Sequence, residues 1–167
     1  MASSLATTLT LTLAATYQNT LDLVTPVAKL TVSKGDTLAS GTAADQASKM
    51  WSDTRTLTAT HEDLDLGGVL TDCLTGATMA FAKVRALLVH NKNTTTGQIL
   101  TVGPGTASGL LTVWGTVTTS GSIIDANGLL FKWAPTAGYA VTTATGDLIR
   151  VDAGTCTIVY DIVILGT

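Results

Sequence analysis

The stretch TATHEDLDLGG, residues 58–68, gathers His61, Glu62, Asp63 and Asp65 in a chain otherwise poor in charge. An imidazole beside carboxylates is the donor set of a divalent metal or of acid–base hydrolysis. Side chains alternate along an extended backbone, so His61, Asp63 and Asp65 would share one face and Glu62, Leu64 and Leu66 the other. Same-face neighbours stand about 7 Å apart along a strand, so one strand cannot close a metal site by itself. Completion needs distant groups. Asp72, Asp125, Asp147, Asp152 and His90 are available, but no spacing ties them together. DLDLGG also lacks the third acidic position and the distal Glu of an EF-hand loop. The simpler reading is a strand entering a Gly-Gly turn, its acids in water and Leu64 and Leu66 in the core. His90 ends an apolar run and reads as a capping or surface residue.

Other chemistry is equally unmarked. No GxSxG elbow occurs, and GPGTASG (103–109) lacks the GK[ST] ending of a phosphate loop, so it reads as a turn. No pair of carboxylates is singled out for glycoside cleavage. Trp51, Trp114 and Trp133 are far apart in sequence and read as core or interface anchors, with sugar stacking the lesser alternative. Cys73 and Cys156 form no CxxC pair and read as two free, inert thiols among small and apolar neighbours. No catalytic, cofactor-binding or metal-ligating residue is therefore assigned, and no cofactor is expected.

The surrounding chain has to be β. Charged residues are 13% of the 167, against ~25% in ordinary soluble proteins. Threonine, serine, asparagine and glycine keep the surface wet instead, and β-branched threonine favours an extended backbone. A net charge of −3 argues against a nucleic-acid binder, which needs a basic surface to displace counterions. Lys83 and Arg85 are the one local basic pair and read as a solvated strand face or a partner contact. The opening MASSLATTLTLTLAATY lacks the basic start of a secretory leader. No apolar run approaches the ~20 residues of a membrane-spanning helix. Synthesis and folding in the cytoplasm, away from membranes, are expected.

Period-two alternation marks the strands. Leu9, Leu11 and Leu13 oppose Thr8, Thr10 and Thr12, which predicts a half-buried strand. LDLVTPVAKLTVS continues it, with Pro26 at an edge or break. KGDTLASGTAADQASKMWSD (34–53) reads as a loop with a short helix over 43–50. Residues 1–40 are thus an N-terminal β arm and 41–167 the main domain. AKVRALLVH fits helix or strand, and its β neighbours decide for strand, with Ala82, Val84, Ala86 and Leu88 on one side and Lys83 and Arg85 on the other. NKNTTTG is a polar loop and Asn127-Gly128 the strongest turn signal. LLFKWAPTAGYAVTTATG gives two strands split at Pro135 and Gly138. DLIRVDAGTCTIVYDIVILGT reads as a hairpin turning at DAG. Its last strand is apolar on both faces and so is expected to be central. Short strands with frequent turns predict an all-β, antiparallel β-sandwich or jelly-roll-like domain with an extended N-terminal arm.

Three segments resemble a family of small structural virion proteins of tailed bacteriophages. They are W-x-D-x-R-T-L…E-D-L-D-L-x-G…L-T-D (Trp51 to Asp72), F-x-K-V-x-A-L (Phe81 to Leu87) and G-D-L-x-x-V…Y-D-I-V-I-x-G (Gly146 to Gly166). From Trp51 to Gly166 the resemblance runs over about two thirds of the chain. The arm resembles the family less clearly, and the motifs are strand and turn patterns without catalytic residues. The resemblance implies a β-sandwich that decorates or cements a capsid, commonly as a homotrimer, with the major capsid protein or other virion proteins as partners. The location implied is the virion, after synthesis in the host bacterial cytoplasm. A tail or fibre component binding a host-surface glycan is the first alternative. A metal-assisted hydrolase on His61, Asp63 and Asp65 is the second. On the structural reading, TLTLTL would be an arm able to add to the sheet of an adjacent subunit.

Overall fold

The computed structural model describes residues 4–72, 74–117 and 120–167. In chain order the strands are β1 (Thr7–Gln18), β2 (Val27–Ser40), β3 (Gln46–Ala47), β4 (Lys49–Thr58), β5 (His61–Asp65), β6 (Leu70–Thr71), β7 (Thr78–Met79), β8 (Lys83–Asn91) and β9 (Leu100–Pro104). A one-turn helix α1 (Leu111–Trp114) follows. The chain ends with β10 (Ser122–Ile124), β11 (Leu129–Trp133), β12 (Tyr139–Ala140), β13 (Leu148–Asp152) and β14 (Thr157–Gly166).

Two antiparallel sheets pack into an all-β, sandwich-like body. One has the order β10-β9-β13-β5; the other is β11-β8-β14-β4, with β12 also paired to β8. The core is the sum of their inward faces. Ile158, Tyr160, Ile162 and Ile164 of β14 meet Ile149 and Val151 of β13, Leu100 and Val102 of β9, and Leu87 and Val89 of β8, all fully buried. Alternation therefore works as expected, and β14 is central, flanked by β4 and β8.

The chain crosses between the sheets at β4–β5, β8–β9, β10–β11 and β13–β14, and the registers put all four corners at one end. Each corner has its own chemistry. Ala59 turns in the left-handed region (φ 48°) and its N–H donates to Cys156 O. Asn127 (φ 60°) precedes Gly128, whose N–H donates to Asp125 O. Asp152 accepts from Gly154 N–H at 2.7 Å. Asn91 is buried and donates to Gln98 O, while Asn93 bridges Thr157 O and the Val159 N–H. The segment read as a β13–β14 hairpin is thus a corner between sheets. A hairpin turn and a corner use the same small, polar residues, so the sequence alone does not separate them.

The N-terminal segment differs most from expectation. β1 and β2 form one long antiparallel ribbon, Thr7 opposite Leu38 through Gln18 opposite Val27, with Pro26 ending the tip loop. β2 runs to Ser40, through residues expected to be loop, and β3 pairs parallel to its end. The helix expected over 43–50 is replaced by a turn at 41–45 and the start of β4. That segment's Ala, Gln and Met do favour helix. Pairing of Ala39 and Ser40 with Gln46 and Ala47, and of Lys49 and Met50 with Gly166 and Leu165, overrides a weak preference. β1 keeps its alternation but is not half-buried: every residue from Thr10 to Gly35 is exposed.

β8 is a strand, but its faces are not those expected. Leu165 pairs with Ala86 and Gly166 with Val84, so Arg85 is skipped in a bulge. The bulge puts Val84 and Leu87 both inward and turns Ala86, Leu88 and His90 outward. Gly166 permits it, because a Cβ there would collide with the Lys83 carbonyl oxygen.

Candidate interaction surfaces

The acidic stretch lies on β5, at the edge of one sheet, facing edge strand β4 of the other across a cleft of about 430 Å³. Its groups are already engaged. Asp63 takes a two-pronged ion pair from Arg150, 2.7 Å to each oxygen, and Arg150 holds the carboxyl below its ordinary range. Asp65 accepts from Gly67 N–H at 2.7 Å and makes the turn after β5. Glu62 points inward, accepting from Tyr160 Oη on one oxygen and Arg55 on the other (2.5 and 2.7 Å). Arg55 also pairs with Asp53, so the chain Tyr160–Glu62–Arg55–Asp53 staples the open edge of the sandwich. His61 is exposed.

The other acids are dispersed. Asp72 accepts from Leu74 N–H, Asp147 is buried and accepts from Ala144 N–H, and Asp152 makes its corner. Among the described residues no three His, Cys, Asp or Glu side chains come together as a metal site. The structure does not bring His61, Asp63 and Asp65 together with distant ligands, because Arg150 and backbone N–H groups occupy the carboxylates. Cys156 is a free thiol; Cys73 lies outside the described residues.

The tryptophans also separate. Trp51 is in the core, Trp114 packs against it from α1, and Trp133 stacks on Phe131 (6.0 Å between centroids) on the outer face of the β14 sheet. Arg85, expected on a solvated face, is 1% exposed. The bulge aims it at two loops, where it donates to Ala43 O (2.8 Å) and Thr136 O (2.6 Å). No ion pair among the described residues includes it, and its Nε–H has no partner among them. It ties the arm's return loop to the β11–β12 loop.

Among the described residues two surfaces remain without partners. The first is the ribbon. Directly opposed residues share a face, so Leu13, Ala15 and Tyr17 lie beside Val32, Leu30 and Ala28 in one apolar stripe, which Leu11 continues toward the base with Lys34 opposite it. The reverse face carries Thr10, Thr12, Thr16, Thr31 and Ser33. Tyr17 is 75% exposed and Leu23, in the tip loop, 98%. The second is the outer face of the β14 sheet. Cross-strand register lays out its rows as Met50, Leu165, Ala86, Trp133; then Ser52, Val163, Leu88, Phe131; then Thr54, Asp161, His90, Leu129. The ribbon's base, Thr7 to Leu9, covers the first two rows around Ala86, Leu88, Phe131 and Trp133. Asp36 accepts from Trp133 Nε1–H at 3.2 Å, and that bond, with Lys34, keeps its carboxyl below the ordinary range. The third row opens into a groove of about 990 Å³. On its floor Asp161 accepts from Thr54 (2.6 Å) and Lys92 (3.2 Å), with His90 Nδ1 at 3.9 Å; the Thr54 bond foremost lowers the Asp161 pKa.

No family model, no curated protein and no solved structure matches this chain.

Proposed function

We propose that this chain is a non-enzymatic structural protein of a phage virion, a capsid decoration (cement) protein that works as a homotrimer. The observation that carries this reading is the ribbon. A lone two-stranded hairpin is marginal in water, and one with an uncovered apolar face is suited to lie on another surface, here that of a neighbouring subunit. Engagement of the acidic stretch by Arg150, Tyr160 and backbone groups favours a structural over a hydrolytic role for it. Strand order supports a jelly-roll body. The sheets β4-β14-β8-β11 and β5-β13-β9-β10, with four crossings at one end, follow the double Greek key pattern. That architecture serves viral shells but also lectins and cupins, so it agrees with the reading without choosing it. The partner would be the major capsid protein.

The test is the absolute mass in solution by light scattering, with and without EDTA, followed by sedimentation with phage shells stripped of their own decoration proteins. Three times the 17.1 kDa chain mass, unmoved by EDTA, and co-sedimentation with shells are expected. A chain that never sediments with shells would overturn the virion reading.

A further inference from the structure

We infer that the ribbon's apolar stripe docks into the open groove on the outer face of the β14 sheet of a second copy of this chain. The inference rests on the assembly part of the proposed function and names the contact that makes it.

Four observations select a second copy. First, the chain already contains this contact in part. The ribbon face carrying Thr7 and Leu9 is half-buried against Ala86, Leu88, Phe131 and Trp133, and Leu11, Leu13, Ala15 and Tyr17 continue that same face outward, uncovered. Second, the surface receiving it also continues. Leu88 and Val163 line both the covered pocket and the open groove, where Leu129 is 58% exposed. The ribbon from Thr10 to Gly35 is exposed throughout and cannot fold back on its own groove while its base holds the neighbouring rows. Third, charge fits. From Leu13 with Val32 outward to Tyr17 with Ala28 the stripe carries no charge, Lys34 opposite Leu11 is paired with Asp36, and the groove's Asp161 and Asp53 are paired with Lys92 and Arg55. An uncharged stripe meets a wall of Leu88, Leu129 and Val163 without burying an unpaired ion. Fourth, size fits. The seven apolar residues of the stripe, at alternate positions over Leu11–Tyr17 and Ala28–Val32, meet a groove lined by eleven residues.

Ribbon and groove are different patches, so the contact is head-to-tail, and a rotation that closes gives a ring. In a ring every ribbon and every groove is filled, which accounts for both unpartnered surfaces at once. The ribbon would lie on the sheet as a third layer, as its base already does.

Disulfide trapping tests this in a Cys73→Ser, Cys156→Ser background. One chain carries Leu13→Cys on the ribbon, the other Leu129→Cys in the groove. Mild oxidation of the mixture is expected to give a linked pair of chains, with little linkage in either chain alone. Separately, Leu11→Ser with Leu13→Ser is expected to lower the solution mass to 17.1 kDa while the circular dichroism stays β. Leu129→Lys repeats the mass test from the groove side without touching the ribbon. Linkage within the Leu13→Cys sample alone would overturn the inference in favour of ribbon-to-ribbon pairing. Sedimentation of a monomeric wild-type chain with phosphatidylcholine vesicles would overturn it in favour of a lipid surface for Leu21, Leu23 and Val24. A monomer that binds shells would overturn the inference alone, and a trapped ring that ignores shells would sink the virion reading alone.

Discussion

Tyr160 sits among core side chains and has one polar atom, which donates to Glu62. Burial first, and the Glu62 carboxylate second, push its phenol well above the ordinary value of 10.0. A group whose folded pKa is raised contributes stability that is whole below the unfolded value and lost as pH climbs past it. Alkaline unfolding should therefore begin above about pH 10. Tyr160→Phe has two expected effects of opposite sign. Near neutral pH it costs about 1.5 kcal/mol in urea, since a hydrogen bond to a charged group is lost while Glu62 keeps Arg55. At high pH the same variant resists unfolding better, because the group that must ionise is gone. Two curves that fall together at every pH would contradict this account. Asp63 behaves differently. Arg150 depresses its pKa, so its contribution is present above the ordinary carboxyl value of 3.8 and fades as pH falls below it. The pair is partly exposed, and Asp63→Asn should cost no more than about 1 kcal/mol, less in high salt. Metal bound stoichiometrically to wild type and lost in Asp63→Asn would restore the metal hypothesis.

At the scale of elements, neighbouring positions on β14 now separate. Ile162 is fully buried in the core, whereas Val163 is half-buried on the outer face beside the ribbon base. Ile162→Asp should unfold the chain, at about 3 kcal/mol or more for an unpaired buried charge. Val163→Asp should leave the sandwich folded and loosen the ribbon, which denaturation profiles and proteolysis of segment 10–35 would tell apart. Asp36 supplies a pH signature for the same contact. Its lowered pKa means the bond to Trp133 is intact above pH 3.8 and weakens as pH falls, so Trp133 emission should shift in that window while the circular dichroism holds. Asp36→Asn should abolish the shift.

The same elements explain what could be read in advance. Alternation in HEDLDL and TIVYDIVIL marked β5 and β14 correctly, because a sandwich buries every second residue. Alternation states which residues share a face, not whether that face is covered, so TLTLTL looked half-buried and is exposed. Arg85 was out of reach for another reason. Its burial comes from a bulge set by Gly166, 81 positions away in the chain, and nothing beside Lys83-Val84-Arg85 records it. DAG at Asp152–Gly154 marks a reversal of the chain, but it is a corner between different sheets and not the hairpin that its residues suggest. The acidic stretch reads as a strand entering a turn, but its partners Arg55, Arg150 and Tyr160 come from β4, β13 and β14 and nothing within it names them.

The whole molecule divides its stability unequally. Among the described residues the fully buried side chains belong to the sandwich, apart from Leu38 and Ala47 at the ribbon's foot, and none lies in segment 10–35. Replacing residues 10–35 by a short Asn-Gly turn joining Leu9 to Asp36 keeps Leu38, the Asp36–Trp133 bond and the Arg85 tie to Ala43. In dilute solution, where chains are separate, this shortened protein should unfold within a few degrees of the full chain, because it loses exposed surface rather than core. At high concentration the two should diverge. Association stabilises by mass action, so the full chain's midpoint should rise with concentration and the shortened chain's should not. Thermal denaturation of both across a hundredfold concentration range separates the alternatives. Parallel concentration dependence would place the intermolecular contact on the sandwich itself. A shortened chain that melts far lower even when dilute would make the ribbon part of the monomer's fold rather than a surface held out for its neighbours.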